Sequence, residues 1–150
     1  MSLEPIDMDV LELLPQRPPF IMVDKLTHFD LTSAKTVFTV RADNMFCYDG
    51  VMEESGLVEN IAQTCAARTG FKHHLESKAA NDKIKIGFIA MIHSLEMKRR
   101  PFVGDVLATS MVIEEEFFTT TLIRSEVMID DETIATCRMK LFLTDKAPDE

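Results

Sequence analysis

The sequence predicts a single α+β domain in which a curved antiparallel sheet of about six strands wraps around one long central helix. The 150-residue chain has the length of one ordinary domain, and we assign residues 1–145 to it and residues 146–150 to a disordered tail. Residues 53–76 carry the one long helical pattern, whereas residues 83–144 have the pattern of successive strands joined by turns. An antiparallel sheet with one apolar face needs a cover, which a helix lined with small side chains can provide.

The long helix is predicted from apolar residues that recur three and four positions apart over residues 53–76. Glu53 and Glu54 lie where the positive end of the helix dipole favours acidic side chains, and Ser55 is the expected N-cap. Small side chains, which allow close packing, occur at Ala62, Ala66, Ala67 and Gly70.

The remaining elements are predicted from local composition and turn residues. Residues 8–14 place apolar side chains on one side of a short helix, which Asp7 or Asp9 can cap and which Pro15 ends. Strands are expected over residues 20–30, 34–41, 83–97, 106–116, 119–129 and 133–144, with a loop over residues 43–50. A sheet of this size with a single helix leaves apolar surface uncovered, so we expect a dimer.

Composition and charge argue against several classes of function. Sixteen basic against 25 acidic residues give a net charge of −9, which disfavours a nucleic-acid or anionic-membrane binder. No apolar run is long enough to cross a bilayer. The three cysteines lack the spacing of a metal site, so we expect no metal and a cytoplasmic protein with reduced thiols. There is also no glycine-rich loop for a nucleotide phosphate.

Three motifs, in the same order, resemble those of the hot-dog-fold 3-hydroxyacyl-acyl-carrier-protein dehydratases of fatty-acid synthesis and their relatives in polyene-pigment clusters. Residues 13–24 (LLPQRPPFIMVD) resemble the family's Leu-Leu-Pro-His-Arg-x-Pro-Phe-Leu-Leu-Val-Asp. Residues 59–63 (ENIAQ) resemble Glu-Ala-Met-Ala-Gln on the central helix, and residues 98–105 (KRRPFVGD) resemble Phe-Lys-Arg-Pro-Val-x-Pro-Gly-Asp. The resemblance implies a hot-dog fold whose sheets join edge to edge in a homodimer or dimer-based oligomer, with acyl tunnels at the interface.

The resemblance also implies dehydration of a 3-hydroxyacyl thioester, with no cofactor beyond the phosphopantetheine of acyl carrier protein or coenzyme A that carries the substrate. A base removes the α-proton and an acid assists departure of the β-hydroxyl. In the family these groups are a histidine in a Gly-His-Phe-Pro-Gly loop and the helix glutamate. Glu59 matches the glutamate, but Met45 stands at the histidine position, and a thioether cannot transfer a proton.

Two side chains are candidates for the acid/base work. Periodicity alone favours a solvated helix face for Glu59, whereas the resemblance makes it the catalytic glutamate. Strand alternation places His93 on one face with Ile89 and Met91, which favours a core or interface histidine. The alternative is that His93 reaches the tunnel and acts as a substitute base. Tunnel contacts with the substrate are expected from Met45, Phe46, Met52, Gln63 and Phe88.

The densest basic run of this acidic protein is Lys98-Arg99-Arg100. Such a run is usually a solvated strand end, but the resemblance suggests a docking surface for an acidic carrier protein or for the phosphopantetheine phosphate. We therefore expect a dehydratase-like protein that acts on or binds acyl thioesters. One alternative is a non-catalytic carrier-protein-binding homologue or heterodimer partner of a competent homologue. The other is a thioesterase in which the helix glutamate activates water or attacks the thioester.

Overall fold

The computed structural model describes residues 4–76 and 86–144, and it confirms the predicted α+β hot-dog architecture. The elements are α1 (Glu54–Glu76), β1 (Lys25–Phe29), β2 (Ser33–Thr39), β3 (Cys47–Tyr48), β4 (Val51–Met52), β5 (Ile86–Met97), β6 (Val106–Phe117), β7 (Thr120–Ile129) and β8 (Glu132–Thr144). Six strands form one antiparallel sheet in the order β1-β2-β6-β7-β8-β5, and α1 packs against its inner face. Within these residues no helix is long and apolar enough to span a membrane.

The strands of the C-terminal half follow the predicted alternation most closely in β8. Cys137, Met139 and Leu141 are buried against the core, whereas Thr136 and Arg138 are exposed on the outer face. This two-residue period is expected where one face of a sheet is covered and the other is in water. The proposed disordered tail lies outside the described residues.

The N-terminal segment differs from its prediction. The expected α-helix over residues 8–14 is replaced by two single 3-10 turns, Pro5–Asp7 and Val10–Glu12. So short a segment cannot repay the cost of nucleating an α-helix. The Asp9 side chain accepts a hydrogen bond from the Leu11 N–H at 2.9 Å, so the predicted cap is present but serves a 3-10 turn.

The first strand begins at Lys25 and not at residue 20, because the backbone of Phe20 and Met22 bonds to α1 instead of to a strand. Gln63 Nε2 donates to the carbonyl oxygen of Phe20 at 2.7 Å. Gln63 Oε1 accepts from the backbone N–H of Met22 at 2.7 Å. The backbone of this segment thus bonds to a helix side chain instead of to a neighbouring strand. The local sequence pattern does not indicate such a partner.

The chain enters α1 from a short hairpin, where a loop over residues 43–50 was expected. Strands β3 and β4 pair around Asp49 and Gly50, whose φ values of 52° and 81° form the tight turn. The hairpin ends so close to the helix that α1 already begins at Glu54. Ser55 therefore lies in the first turn and is not the N-cap, which corrects the prediction.

The small residues of α1 permit close packing, as predicted, but the closest neighbour is the N-terminal segment and not the sheet. A Cβ atom built on Gly70 would lie 2.0 Å from the carbonyl oxygen of Leu13. Leu13 and Leu14 are both buried. The backbone of the N-terminal segment therefore lies directly against the backbone of α1.

Strand β5 is an edge strand with two β-bulges. Its register against β8 shifts between Ile89 and Met91 and again between Ile92 and Ser94. Ile89 and Met91, which alternation placed on one face, pair with consecutive residues of β8 and so face opposite ways. His93 lies in the second bulge and is exposed. Simple alternation failed here because each bulge inserts one residue.

Candidate active site

A cavity of about 260 Å³ lies between α1 and the inner face of the sheet. Its volume is close to the lower end of the roughly 300–1,000 Å³ typical of small-molecule sites. The helix contributes Glu59, Ala62, Cys65, Ala66, Arg68 and Thr69. The other walls are Pro15, Gln16, Gly87, Phe88, Ile89, Met111, Ile113, Glu116, Thr121, Ile123, Leu141 and Leu143. The lining is mostly apolar, and Glu59 adds a carboxylate to it.

The carboxylate of Glu59 is oriented by Gln63, one turn further along α1. Gln63 Nε2 donates to Glu59 Oε1 at 3.0 Å, and the same amide holds the backbone of Phe20 and Met22. The resemblance placed Gln63 among the substrate contacts, whereas its amide is engaged by the chain itself. Gln63 therefore lies where it can align the Glu59 carboxylate and fix the backbone of Phe20 and Met22.

A buried hydrogen-bond network around Asn60 fixes the rotation of α1 next to Glu59. Asn60 Nδ2 donates to the carbonyl oxygen of Met22 at 2.8 Å, and Asn60 Oδ1 accepts from Thr109 Oγ1 at 2.6 Å. These bonds tie the helix to both the N-terminal segment and β6. Sequence reasoning missed Asn60, although a polar residue on an apolar helix face is a signal that could have identified it.

Gln16, in the N-terminal segment, brings an unpaired acceptor to the cavity lining. Among residues 4–76 and 86–144, Gln16 Oε1 is the one buried side-chain nitrogen or oxygen without a hydrogen-bond partner. The backbone beside it is held by Arg17, whose Nη1 donates to the carbonyl oxygens of Leu14 at 3.0 Å and Gln16 at 2.8 Å. An unsatisfied buried acceptor costs about 1–3 kcal/mol, so Gln16 Oε1 is an acceptor available to a group that enters the cavity.

Arg68 is a buried cation at the far end of the cavity. It is 5% exposed, and its Nε donates to the carbonyl oxygen of Asp30 at 3.3 Å. A second nitrogen donates to the carbonyl oxygen of Leu31, and the guanidinium carbon lies 5.6 Å from the centre of the Phe29 ring. Burial lowers the pKa of the guanidinium. Arg68 therefore fastens the β1–β2 turn to α1 through backbone carbonyls.

The cavity continues past Arg68 into a more open groove of about 460 Å³ at the C-terminal end of α1. The residues common to both are Arg68, Thr69, Glu116 and Leu143. The groove adds the polar or charged side chains Lys72, His73, Glu76 and Thr119, together with Phe118. The surroundings thus change from apolar near Ala66 to charged beyond Thr69.

None of the histidines, all four of which the structure describes, lines the Glu59 cavity. His93 is exposed in the bulge of β5, and His73 lines only the adjoining groove. Met45, which the resemblance aligns with the family's histidine, is 50% exposed and also lies outside the cavity. The described chain therefore brings no imidazole to Glu59.

The other expected substrate contacts are divided between the core and the sheet edge. Phe46 and Met52 pack against the start of α1, where a Cβ on Gly56 would lie 2.6 Å from Phe46 Cβ and 2.9 Å from Met52 Cγ. Phe88 lines the cavity and is more than half exposed on β5. Among Met45, Phe46, Met52 and Phe88, only Phe88 lines the same cavity as Glu59.

Two of the three charges in the basic run are balanced by neighbouring carboxylates. Arg99 Nη1 lies 3.0 Å from Asp105 Oδ2, and Arg100 Nε lies 2.6 Å from Glu54 Oε1 at the start of α1. Lys98 is exposed. This surface therefore presents less net positive charge than the sequence Lys-Arg-Arg indicates.

The cysteines do not supply a nucleophile. Cys65 lines the cavity, but burial raises the pKa of its thiol to about 12. Burial also raises the pKa of the Cys47 thiol. Because the thiolate is the reactive form, neither residue is activated near neutral pH. In the described ranges, no group of three or more His, Cys, Asp or Glu side chains could hold a metal ion.

Comparisons with known proteins give the same fold and one family. Among solved structures, the chain is similar to the dehydratase heterocomplex ApeI:P from Xenorhabdus doucetiae, with a TM-score of 0.84 and 17% identity over 93% of each chain. It also resembles the E. coli PaaI protein of the phenylacetic acid degradation operon, with a TM-score of 0.61, 16% identity and coverage of 78% and 80%. A hypothetical thioesterase with coenzyme A from Streptococcus pneumoniae TIGR4 matches with a TM-score of 0.60, 11% identity and coverage of 81% and 85%.

These distant structural similarities establish the fold alone. Sequence comparison also identifies the family. No curated protein sequence matches the chain significantly. The profile of the ApeP-like family, described as ApeP dehydratase, matches residues 8–149. This match includes the whole sheet, α1 and Glu59. The chain therefore belongs to the ApeP-like dehydratase family.

Proposed function

We propose that this chain binds 3-hydroxyacyl thioesters in the Glu59 cavity and serves as one subunit of a dimeric dehydratase, with Glu59 as the acid/base group that it contributes. One observation carries the proposal. Glu59 lies in a mostly apolar cavity between helix and sheet, and no histidine of the chain lies in that cavity. The other carboxylate of the lining, Glu116, lies where the cavity meets the groove at the C-terminal end of α1. We therefore propose that the second acid/base group of the reaction comes from outside the chain.

The chemistry assigned to Glu59 is protonation of the leaving group. Removal of the α-proton leaves an electron pair that forms the Cα=Cβ double bond, while the Cβ–O bond breaks and the hydroxyl departs with a proton as water. Glu59 would deliver that proton, and Gln63 would hold the carboxylate in place through its 3.0 Å hydrogen bond. An apolar cavity supports this role because it excludes competing water.

The position of Met45 supports a site shared between subunits. Met45 is half exposed and outside the cavity of its own chain, which leaves its side chain available to the Glu59 site of another subunit. In a homodimer each site would then combine Glu59 with a methionine. In a heterodimer with a homologue that retains the histidine, one site would combine Glu59 with that histidine and be complete.

The exposed edge of β5 is the surface proposed for dimerisation. Its exposed large apolar side chains are Phe88, Ile89, Met91 and Ile92. β5 ends the order of the sheet, so its outer edge has no strand beside it in the described residues. Unpaired backbone groups with apolar flanks are a template for another strand. A dimer formed there would place the partner next to Phe88 at the cavity rim.

An acyl carrier protein is the proposed donor of the substrate in fatty-acid or polyene-type synthesis, with coenzyme A as the alternative carrier. The expected docking surface is Lys98-Arg99-Arg100. Because Asp105 and Glu54 balance Arg99 and Arg100, charge reversal at Lys98 should have at least as large an effect on the salt dependence of binding as reversal at either arginine. Equal affinity at low and high salt would contradict this docking surface.

A thioesterase activity is the second candidate, because Glu59 without a neighbouring histidine could activate water against the thioester carbonyl. The two reactions give different products. Dehydration yields an enoyl thioester, whereas hydrolysis yields a free acid and a thiol. One assay that follows both the enoyl absorbance and free thiol separates them.

The test uses the full chain, its Met45→His variant and the Met45→His/Glu59→Gln double variant with 3-hydroxyacyl-carrier-protein substrate. We expect the wild type to bind substrate and Met45→His to raise enoyl formation by roughly 10²-fold or more, the usual effect of a positioned acid/base group. The double variant should lose that gain. A Lys35→Met variant, on the exposed outer face of β2, serves as the control.

Mixing separates the shared site from one within a chain. The double variant carries the histidine and the wild type carries Glu59, so an equal mixture should recover about a quarter of the Met45→His activity when subunits exchange at random in a two-fold dimer. No recovery despite exchange would contradict the shared site. Failure of the wild type to bind any acyl thioester would overturn the proposed function itself, and release of free thiol would favour the thioesterase.

A further inference from the structure

Gln16 brings to the Glu59 cavity a hydrogen-bond acceptor that the reaction proposed above does not use. Its Oε1 is buried and has no partner among residues 4–76 and 86–144, although the side chain lines the cavity. The backbone at this position is fixed, because Arg17 Nη1 donates to the carbonyl oxygen of Gln16 at 2.8 Å. A fixed backbone thus carries a side-chain oxygen that is available to a ligand.

The N-terminal segment carries Gln16 along the part of α1 that lines the cavity. Leu13 lies against Gly70, and the carbonyl of Phe20 bonds to Gln63, so the segment and the helix run in opposite directions. With a rise of 1.5 Å per residue, these two contacts are about 10.5 Å apart along the helix axis. Gln16 lies between the two contacts in the chain and therefore beside the cavity-lining turns of the helix.

The same segment connects Gln16 to the surroundings of the Glu59 carboxylate. Gln63 Nε2 donates to the carbonyl oxygen of Phe20 at 2.7 Å and to Glu59 Oε1 at 3.0 Å. The backbone of Phe20 therefore lies a few ångströms from the carboxylate. A turn leads back from Phe20 to Gln16, and the Phe20 N–H closes it by donating to the carbonyl oxygen of Arg17 at 2.9 Å. A carboxyl group and an unpaired acceptor thus reach the same cavity.

A hydroxyl is the ligand group that suits this pair of side chains. It can donate its own hydrogen to an amide oxygen while a lone pair of its oxygen faces an acid. A saturated acyl chain and a thioester carbonyl offer no hydrogen to Gln16 Oε1. Because the cavity lining is mostly apolar, a hydrogen bond made there meets little competition from other polar groups.

We infer that Gln16 is a specificity-determining residue whose Oε1 accepts a hydrogen bond from the 3-hydroxyl of the substrate. This inference rests on the proposed function and adds a substrate contact to it. With its hydrogen on Gln16, the hydroxyl turns a lone pair towards Glu59, which delivers the proton as the Cβ–O bond breaks. The amide neither gains nor loses a proton. The enoyl product has no hydroxyl, so it leaves Oε1 without a partner and binds more weakly than the substrate.

The experiment compares 3-hydroxyoctanoyl-CoA with octanoyl-CoA and 5-hydroxyoctanoyl-CoA by their dissociation constants. The enoyl absorbance is followed at the same time, so that turnover is excluded. The wild type should bind the 3-hydroxy ligand roughly 5- to 100-fold more tightly than either of the others. In Gln16→Met and Gln16→Leu, which both remove the acceptor, this ratio should fall towards one. Thermal unfolding identifies a variant that does not fold, and the other still tests the inference.

The matched control is Ile113→Leu, which changes another residue of the cavity lining without adding or removing a polar atom. Any effect of this substitution on the shape of the lining applies to all three ligands alike. The control should therefore keep the wild-type ratio, and a ratio that falls as far as in the Gln16 variants would overturn the inference.

A wild-type ratio near one, or a ratio that persists in both Gln16 variants, would overturn the inference while leaving acyl-thioester binding intact. A preference for the 5-hydroxy ligand would do the same. Equal weakening of all three ligands would mean that Oε1 bonds to a group that they share, such as a pantetheine amide, and would overturn it too. Absence of wild-type binding for every ligand would instead count against the proposed function.

Discussion

Gly70→Ala has two opposing physical effects at the position where α1 lies against the N-terminal segment. In the middle of a helix, alanine is favoured over glycine by about 0.8–1.0 kcal/mol. The new Cβ, however, would lie 2.0 Å from the carbonyl oxygen of Leu13, a backbone atom that cannot rotate away. Helix propensity predicts stabilisation, whereas the contact predicts destabilisation.

The magnitude follows from the displacement that the contact requires. An ordinary contact begins at 3.4 Å, so the N-terminal segment must move by 3.4 − 2.0 = 1.4 Å. Overpacking of this kind costs typically 1–3 kcal/mol and occasionally more, which exceeds the gain in propensity. We expect a net loss of up to about 2 kcal/mol in the free energy of unfolding, or a lowering of the melting temperature by up to roughly 8 °C in a chain of this size.

The assay is urea denaturation and thermal unfolding at one fixed protein concentration, because dimerisation would otherwise shift both midpoints. Ser55→Ala, at an exposed position in the first turn of α1, is the matched helix control and should change the free energy of unfolding by less than about 0.5 kcal/mol. Since the displaced segment carries Gln16 in the cavity wall, Gly70→Ala should also weaken acyl-thioester binding. A variant that is more stable than the wild type would refute the reasoning.

Three further predictions follow from buried groups near the site. Asn60→Leu should lower the free energy of unfolding by about 2–4 kcal/mol, because the Thr109 hydroxyl and the Met22 carbonyl lose a buried partner. A change below about 1 kcal/mol in urea denaturation would contradict the hydrogen-bond network around Asn60. Gln16→Met should leave the free energy of unfolding unchanged or raise it by about 1 kcal/mol, because it removes an unsatisfied acceptor. A clear decrease in the free energy of unfolding would mean that Gln16 Oε1 is paired. Burial raises the pKa of Cys65 from 9.0 to about 12, so its thiol favours the folded state fully below pH 9 and less as the pH rises towards 12. Unfolding measured between those limits should show a decline of up to roughly 1.4 kcal/mol per pH unit that is shallower in Cys65→Ala, and identical slopes would exclude this cause.

The parts of the fold that the sequence predicted are those with a repeating local signal. The helix over residues 53–76 and the alternation of β8 depend on periodicity, which the covered face of each element imposes directly. Predictions failed where a distant partner replaced a local one. Residues 20–23 are β-branched and apolar enough for a strand, yet Gln63 binds the backbone of Phe20 and Met22. His93 does not lie on the face that alternation predicts, because β5 contains bulges whose positions depend on its pairing with β8.

For the candidate site, the sequence by itself determined which chemistry is available. Through its resemblance to the family's motifs it predicted Glu59 as the acid/base candidate and methionine, Met45, at the position of the family's histidine. Only the tertiary structure decided what surrounds Glu59. The cavity, the Gln63 hydrogen bond and the buried Arg68 all join residues far apart in the chain, and such neighbours follow from packing and not from spacing. The identity of the residues determines which side chains can transfer a proton. The packing of helix and sheet determines where a substrate can lie relative to those side chains.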